Sequence, residues 1–211
     1  MSAIADRGRL FVAARLPAGV RAELARWARV ALVGRFGVRR LEPGMLHLTL
    51  CFLGDQPLSC VGELASVLGG AAEAVAGIGE LAVGAPVWLP PRRPRALAVE
   101  IGDPEGGLRS LQALLAADIA ATIDWRPETR RFRPHVTLAR MRPESVRSGT
   151  SVRSGTGARS GTGTRSGTGE RSGALVPTPQ LSFACEQVVL LRSHLEREGA
   201  HYEELASVGG W

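Results

Sequence analysis

Two short segments of this 211-residue chain share one pattern: HLTL at 47–50 and HVTL at 135–138, a histidine followed two places on by a threonine. Histidine is scarce, four in all, and two of the four take part. A strand sends residues i and i+2 to the same face. Each copy therefore presents an imidazole beside a hydroxyl, His47 with Thr49 and His135 with Thr137, while Leu46, Leu48 and Leu50, or Val136 and Leu138, anchor the other side. Two such strands facing one another would make a cleft with two imidazoles and two hydroxyls. Imidazole titrates near pH 6.5, so one ring can be neutral while the other is charged, which suits general acid and base work near neutral pH. The threonine hydroxyls can donate to anionic oxygens.

For either histidine alone the ordinary reading is a strand residue satisfied by a neighbour; the repetition in matched contexts outweighs it and points to catalysis. His194 and His201 have no such partners and are expected at the surface. A zinc site built on the motif histidines would need further ligands, and no H-x-x-x-H or close carboxylate pair supplies them. Trp27 and Phe52 are expected in the core rather than as base-stacking residues.

The elements that must position these residues follow from apolar spacing. Residues 9–16, RLFVAARL, form a strand; Pro17 then opens a helix with Val20, Leu24, Trp27 and Ala31 inward. The alternation in MLHLTLCFLG gives a half-buried strand over 45–54. A helix over 59–76, strands near 80–89 and 95–101, and a second long helix with Asp103 as N-cap and Pro104 at its first position come next. The second motif lies in a strand over 131–140. Two more strands, 181–193 and 201–208, join through a turn at Glu198 and Gly199. Strand, helix, strand in each half favours an α+β fold with antiparallel sheets over a doubly wound parallel one. The glycine fingerprints of phosphate and dinucleotide loops are missing from the sequence.

The formal charge of +6 is unevenly spread. Arg147, Arg153, Arg159, Arg165 and Arg171 less Glu170 place +4 of it in an approximate six-residue Arg-Ser-Gly-Thr repeat, leaving +2 for the rest. Residues 145–174 contain too little apolar matter for a core and are expected to be a disordered insertion, solvated and without a function of its own. All 26 basic residues are arginine, which raises the pI without implying an unusual surface. Three cysteines, Cys51, Cys60 and Cys185, lack C-x-x-C spacing, so a reducing, cytoplasmic setting without disulfides is expected. The apolar run Leu10–Ala14 is too short for a secretion signal, and no span suits a membrane.

HLTLCFLG and FRPHVTLAR resemble the paired signatures of the two-histidine (2H) phosphoesterases, of the 2′-5′ RNA ligase-like or RNA 2′,3′-cyclic phosphodiesterase branch. The resemblance extends to RLFVAARLP and to VVLLRS with EGAHYEEL. It implies one bilobal α+β domain over 1–211, with two antiparallel sheets related by a pseudo-twofold axis, flanking helices and a central cleft. It implies metal-independent opening of RNA 2′,3′-cyclic phosphates to 2′-phosphomonoesters, without metal or organic cofactor. His135 would be the proton acceptor, His47 the proton donor, and Thr49 and Thr137 would hold the non-bridging oxygens. A basic residue at Arg140 is shared with the family, yet regular pleating from Thr137 points it away from the cleft unless the strand bends. Gly44 and Met45 stand where relatives carry a Glu-Asn pair. A monomer acting on RNA ends or small cyclic phosphodiesters, away from membranes, is expected. The alternatives are 2′-5′ RNA ligation and an RNA-binding or regulatory module that has kept the cleft.

Overall fold

A computed structural model describes residues 6–142, 175–196 and 199–210. The elements run β1 (Arg7–Arg15), α1 (Ala18–Ala31), β2 (Val38–Arg40), β3 (His47–Pro57), α2 (Val61–Gly70), α3 (Ala72–Ala76), β4 (Leu81–Leu89), β5 (Ala96–Gly102), α4 (Gly107–Thr122), β6 (His135–Met141), β7 (Ser182–Phe183), β8 (Gln187–Glu196) and β9 (Gly199–Gly209). The fold is α+β. Nine strands form an antiparallel sheet in the order β7-β4-β5-β6-β3-β1-β8-β9, with β2 added against β6. Where two sheets were expected the strands make one continuous sheet, in whose middle β3 and β6 share a single partner pair, Leu48 with Val136.

Side-chain parity decides which face is covered. Leu10, Val12 and Ala14 of β1 point into one large core with Leu48 and Leu50 of β3, Val136 and Leu138 of β6, and Val188 and Leu190 of β8. The helices close that core with Val20, Leu24 and Trp27 of α1, Leu64 and Leu68 of α2, and Leu108, Leu111 and Leu115 of α4. The opposite parity of the same strands, Phe11, Ala13, Val189 and Leu191, gathers with Tyr202 into a second, smaller cluster on the other face. LFVAA, residues 10–14, is apolar throughout because β1, flanked by β3 and β8, is buried there on both faces.

Several boundaries differ from expectation for local reasons. The helix expected over 59–76 is interrupted at Ala71, after the weak helix formers Gly69 and Gly70. Asp103 is not the N-cap residue: Gly106 is, at φ +79, a left-handed conformation that glycine adopts without strain. The buried Asp103 carboxylate nonetheless accepts the free amides of the first turn, from Leu108 at 3.2 Å and Arg109 at 3.0 Å. β6 starts at His135 rather than 131, directly after Pro134, which has no N–H to give a ladder. β2 was not anticipated; three residues behind Gly37 are too few to show alternation. Trp27 is buried as expected, its Nε1 donating to the Pro177 carbonyl at 2.8 Å. His194 Nε2 donates to the Glu203 carboxylate at 2.8 Å on the β8–β9 hairpin, and His201 is exposed. The expected disordered insertion over 145–174 and the turn residue Glu198 lie outside the described residues. Among the described residues, no helix is long and apolar enough to cross a membrane.

Candidate active site

The two motifs meet at the centre of the sheet. With Leu48 opposite Val136 in an antiparallel pair, the register sets His47 toward Thr137 and Thr49 toward His135, the four polar side chains flanking the one buried pair. Leu48 and Val136 themselves point down into the large core. Parity thus turns all four site residues to the face not covered by the helices.

Each motif strand carries the same irregularity. Along β3, Thr49 is opposite Ala13 and Cys51 opposite Val12, so Leu50 is an extra residue; along β6, Thr137 is opposite Ala98 and Ala139 opposite Leu97, so Leu138 is extra. These are β-bulges at the fourth position of HLTL and HVTL. Their effect is to bury two successive residues, Leu50 with Cys51 and Leu138 with Ala139, and to return the next residue to the cleft face. That residue is Phe52 in β3 and Arg140 in β6. Arg140 is opposite Ala96 and Thr137 opposite Ala98, and since Ala96 and Ala98 share a face, so do Arg140 and Thr137. The doubt over Arg140 is removed by the bulge at Leu138. Phe52 is corrected likewise: it is not in the core but 55% exposed.

The neighbouring strands complete two matched half-sites. Small, fully buried alanines lie beside both threonines, Ala13 by Thr49 and Ala98 by Thr137, leaving room above the hydroxyls. Beside the histidines the charges are opposite: Arg15 is the partner of His47, and Glu100 is the partner of His135. Arg15 is held by Glu204, and Glu100 by Arg133 at 2.9 Å.

Both imidazoles are tethered in one way. His47 Nδ1 lies 2.8 Å from the Met45 carbonyl, and His135 Nδ1 lies 2.8 Å from the Arg133 carbonyl, each two residues earlier. A carbonyl oxygen only accepts, so each Nδ1 carries the proton and each Nε2 is left for the cleft. The ring of His47 packs against Phe11, centroids 5.0 Å apart, and edge-on against Tyr202 at 5.1 Å. This burial lowers its pKa to about 4; the Met45 carbonyl opposes the shift, while the charges of Arg140 and His135 add to it. His47 is therefore neutral in the resting protein at pH 7.

Two hollows open beside this centre. One of about 250 Å³ includes Thr49, His135, Phe52, Trp125 and Arg131; a smaller one of about 90 Å³ includes His47, Tyr202, Arg15 and Arg21. Cys51 is walled into the first, but burial pushes its thiol up to about 11, so it is no nucleophile at neutral pH. Among the described residues, no three His, Cys, Asp or Glu side chains gather into a group that could hold a metal ion.

The 2′-5′ RNA ligase superfamily model matches residues 16–153, well over half of the chain and including both motifs. The chain belongs to the 2′-5′ RNA ligase superfamily. Among solved structures, this superfamily member is similar to TT0787 of Thermus thermophilus, at 23% identity over 95% of this chain and 97% of that one, with a TM-score of 0.70. It is also similar to Escherichia coli LigT complexed with 3′-AMP, at 22% identity over 97% and 98% of the two chains, with a TM-score of 0.68. No curated protein sequence matches.

Sequence reasoning missed the groups around the two motifs: Phe11, Tyr202, Glu100 and Trp125. Each reaches the centre by strand pairing or from a loop, so nothing local in the sequence marks it. The second cluster does leave one trace, the odd-parity apolar residues Phe11 and Ala13 in a strand already apolar at even positions.

Proposed function

We propose that the protein opens 2′,3′-cyclic phosphate ends of RNA to 2′-phosphomonoesters, His47 and His135 serving as proton donor and proton acceptor. The observation that carries this reading is the like tethering of the two rings, each with Nδ1 fixed on a backbone carbonyl and Nε2 free, beside a threonine in each half. In the proposed step, Nε2 of His135 takes a proton from water, the water oxygen bonds to phosphorus, the bond from phosphorus to O3′ breaks, and Nε2–H of His47 protonates O3′. The hydroxyls of Thr49 and Thr137 and the guanidinium of Arg140 meet the non-bridging oxygens as charge builds there. A nucleotide-binding cleft also accords with the LigT structures complexed with 3′-AMP and with phosphate.

A donor at His47 must be protonated, whereas resting His47 is neutral. A phosphate diester paired with Arg140 cancels one of the charges that depress it, so substrate binding would take up a proton there. The neutral resting ring also favours a second reading in which His47 is the acceptor and His135 the donor. A nitrophenyl phosphodiester separates the two, because its leaving group needs no protonation. Under the first assignment, His47→Ala loses far less activity on that substrate than on RNA, and His135→Ala is equally damaging on both.

The primary test is incubation with RNA ending in 2′,3′-cyclic phosphate, in EDTA, with the product ends resolved. A 2′-monoester is expected, and either His→Ala change should lower kcat by about 10²- to 10⁴-fold without loss of fold. Tight RNA binding with no product at any pH would replace this reading by a binding module. The superfamily's description favours one further arm, RNA with a free 5′-hydroxyl, which would reveal 2′-5′ joining if that hydroxyl replaces water.

A further inference from the structure

We propose that the corner where α1 runs into β2 is a docking surface for an anionic lipid bilayer, an apolar tip set among arginines. It stands apart from the cleft and does not depend on the phosphodiesterase reading.

The backbone builds the tip. After α1 the chain makes two i→i−3 turns, the Val33 amide donating to the Val30 carbonyl at 3.2 Å and the Arg35 amide to the Leu32 carbonyl at 3.1 Å. Gly34 and Gly37, at φ +72 and +74, carry the chain out and back around Arg35 and Phe36. Val30, Val33 and Phe36, three residues apart in turn, are thereby 59%, 78% and 94% exposed, while Ala31 and Leu32 between them are buried. A single exposed apolar side chain is ordinary; a run of three, one of them almost wholly in solvent, marks an interaction site.

The same corner concentrates positive charge. From Leu24 to Leu41 there are five arginines, Arg26, Arg29, Arg35, Arg39 and Arg40, and no acidic residue. The chain outside the Arg-Ser-Gly-Thr repeat totals only +2, so its other residues sum to −3. Arg26 is engaged by Glu23, whereas Arg29 and Arg40 reach solvent. Arg142 joins them, exposed, its amide donating to the Gly37 carbonyl at 2.8 Å.

This combination selects the partner. A symmetric contact with a second copy would set these arginines against themselves. Single-stranded RNA could pair with the arginines and stack on Phe36, but it has no use for Val30 and Val33. A folded protein would need a pocket for a ring that stands clear of its own surface. An anionic bilayer uses every part: the acyl boundary takes the apolar tip, and the headgroups take guanidiniums carried on long apolar stems. Docking of this kind needs no spanning helix, and among the described residues there is none. The expectation of a protein away from membranes rested on the lack of a span, which a docked surface does not require.

The test is co-sedimentation of the full chain with vesicles of phosphatidylglycerol and phosphatidylcholine in equal parts, against vesicles of phosphatidylcholine alone. Binding to the mixed vesicles alone is expected, weakening as salt rises. Val33→Ser with Phe36→Ser should weaken it by roughly 10- to 100-fold with an unchanged melting temperature. That variant leaves the charge untouched, so it separates insertion of the tip from the attraction that any arginine-rich segment, the repeat included, has for an anionic surface. Arg29→Ala with Arg40→Ala should cost roughly 30-fold. The indole introduced by Phe36→Trp should keep the affinity and add fluorescence, relative to wild type, that lipids brominated in the acyl chain quench. Wild-type protein that ignores the mixed vesicles, a serine variant that binds them as well as wild type, or an indole that is not quenched overturns the inference. So does a serine variant that instead loses binding to single-stranded RNA, or one that dissolves a wild-type dimer, since the tip then serves nucleic acid or a second copy.

Discussion

His47 packs against the rings of Phe11 and Tyr202, with Arg140 and His135 contributing positive charge, and these neighbours set its titration. Unfolded, the imidazole would titrate near 6.5; folded, it does so near 4. Between those values the unfolded chain binds a proton that the folded chain refuses, so stability rises with pH across the window. The contribution is fully present above about pH 6.5 and is lost as pH falls toward 4. Urea unfolding of wild type against His47→Gln should show the difference between them changing across that window, on the order of a few kcal/mol. A constant difference would mean that the ring is not desolvated as its packing implies.

At the scale of the element, each motif strand is a tool for aiming side chains. A regular strand would set Arg140 on the core face, where an unpaired guanidinium is costly to bury. The extra residue at Leu138 gives that place to Ala139 and returns Arg140 to the cleft. The neighbouring strand contributes space: Ala98 beside Thr137 and Ala13 beside Thr49 hold nothing larger than a methyl group over the hydroxyls. Ala98→Val should therefore lower kcat/KM at least about tenfold while costing about 1–3 kcal/mol of stability through overpacking. Steady-state kinetics with a melting curve checks both, and full activity would show that the space above Thr137 is not used by substrate.

In the whole molecule, the relative placement of the two half-sites rests on the contact between β3 and β6, where Leu48 and Val136 are paired. Both side chains are buried in the large core, so the helices on one face fix the geometry of the cleft on the other. Leu48→Ala should cost about 2–5 kcal/mol. It should also lower kcat under conditions where the variant is still fully folded, because misplacement of one half-site against the other spoils the alignment of the proposed acid and base. Denaturation and kinetics below the transition would separate these effects; a destabilised variant with normal kcat would show that the cleft is held from elsewhere.

The sequence by itself determined the pairing of chemistry with local structure. His47 with Thr49 and His135 with Thr137 repeat at the period of a strand, and the apolar residues between them assign the buried side, because parity is a property of the backbone alone. The α+β class was legible for the same reason, from the spacings of Leu10 to Ala14, Val20 to Ala31 and Leu108 to Ile119. Only the tertiary structure decided what surrounds each ring. Phe11 and Tyr202 are remote in sequence and reach His47 through strand pairing, so the depressed titration of His47 could not be read locally; Glu100 reaches His135 in the same way. Arg140 and Phe52 were misjudged or left open because a bulge is defined against the partner strand, and a single strand does not show where its partner skips a residue.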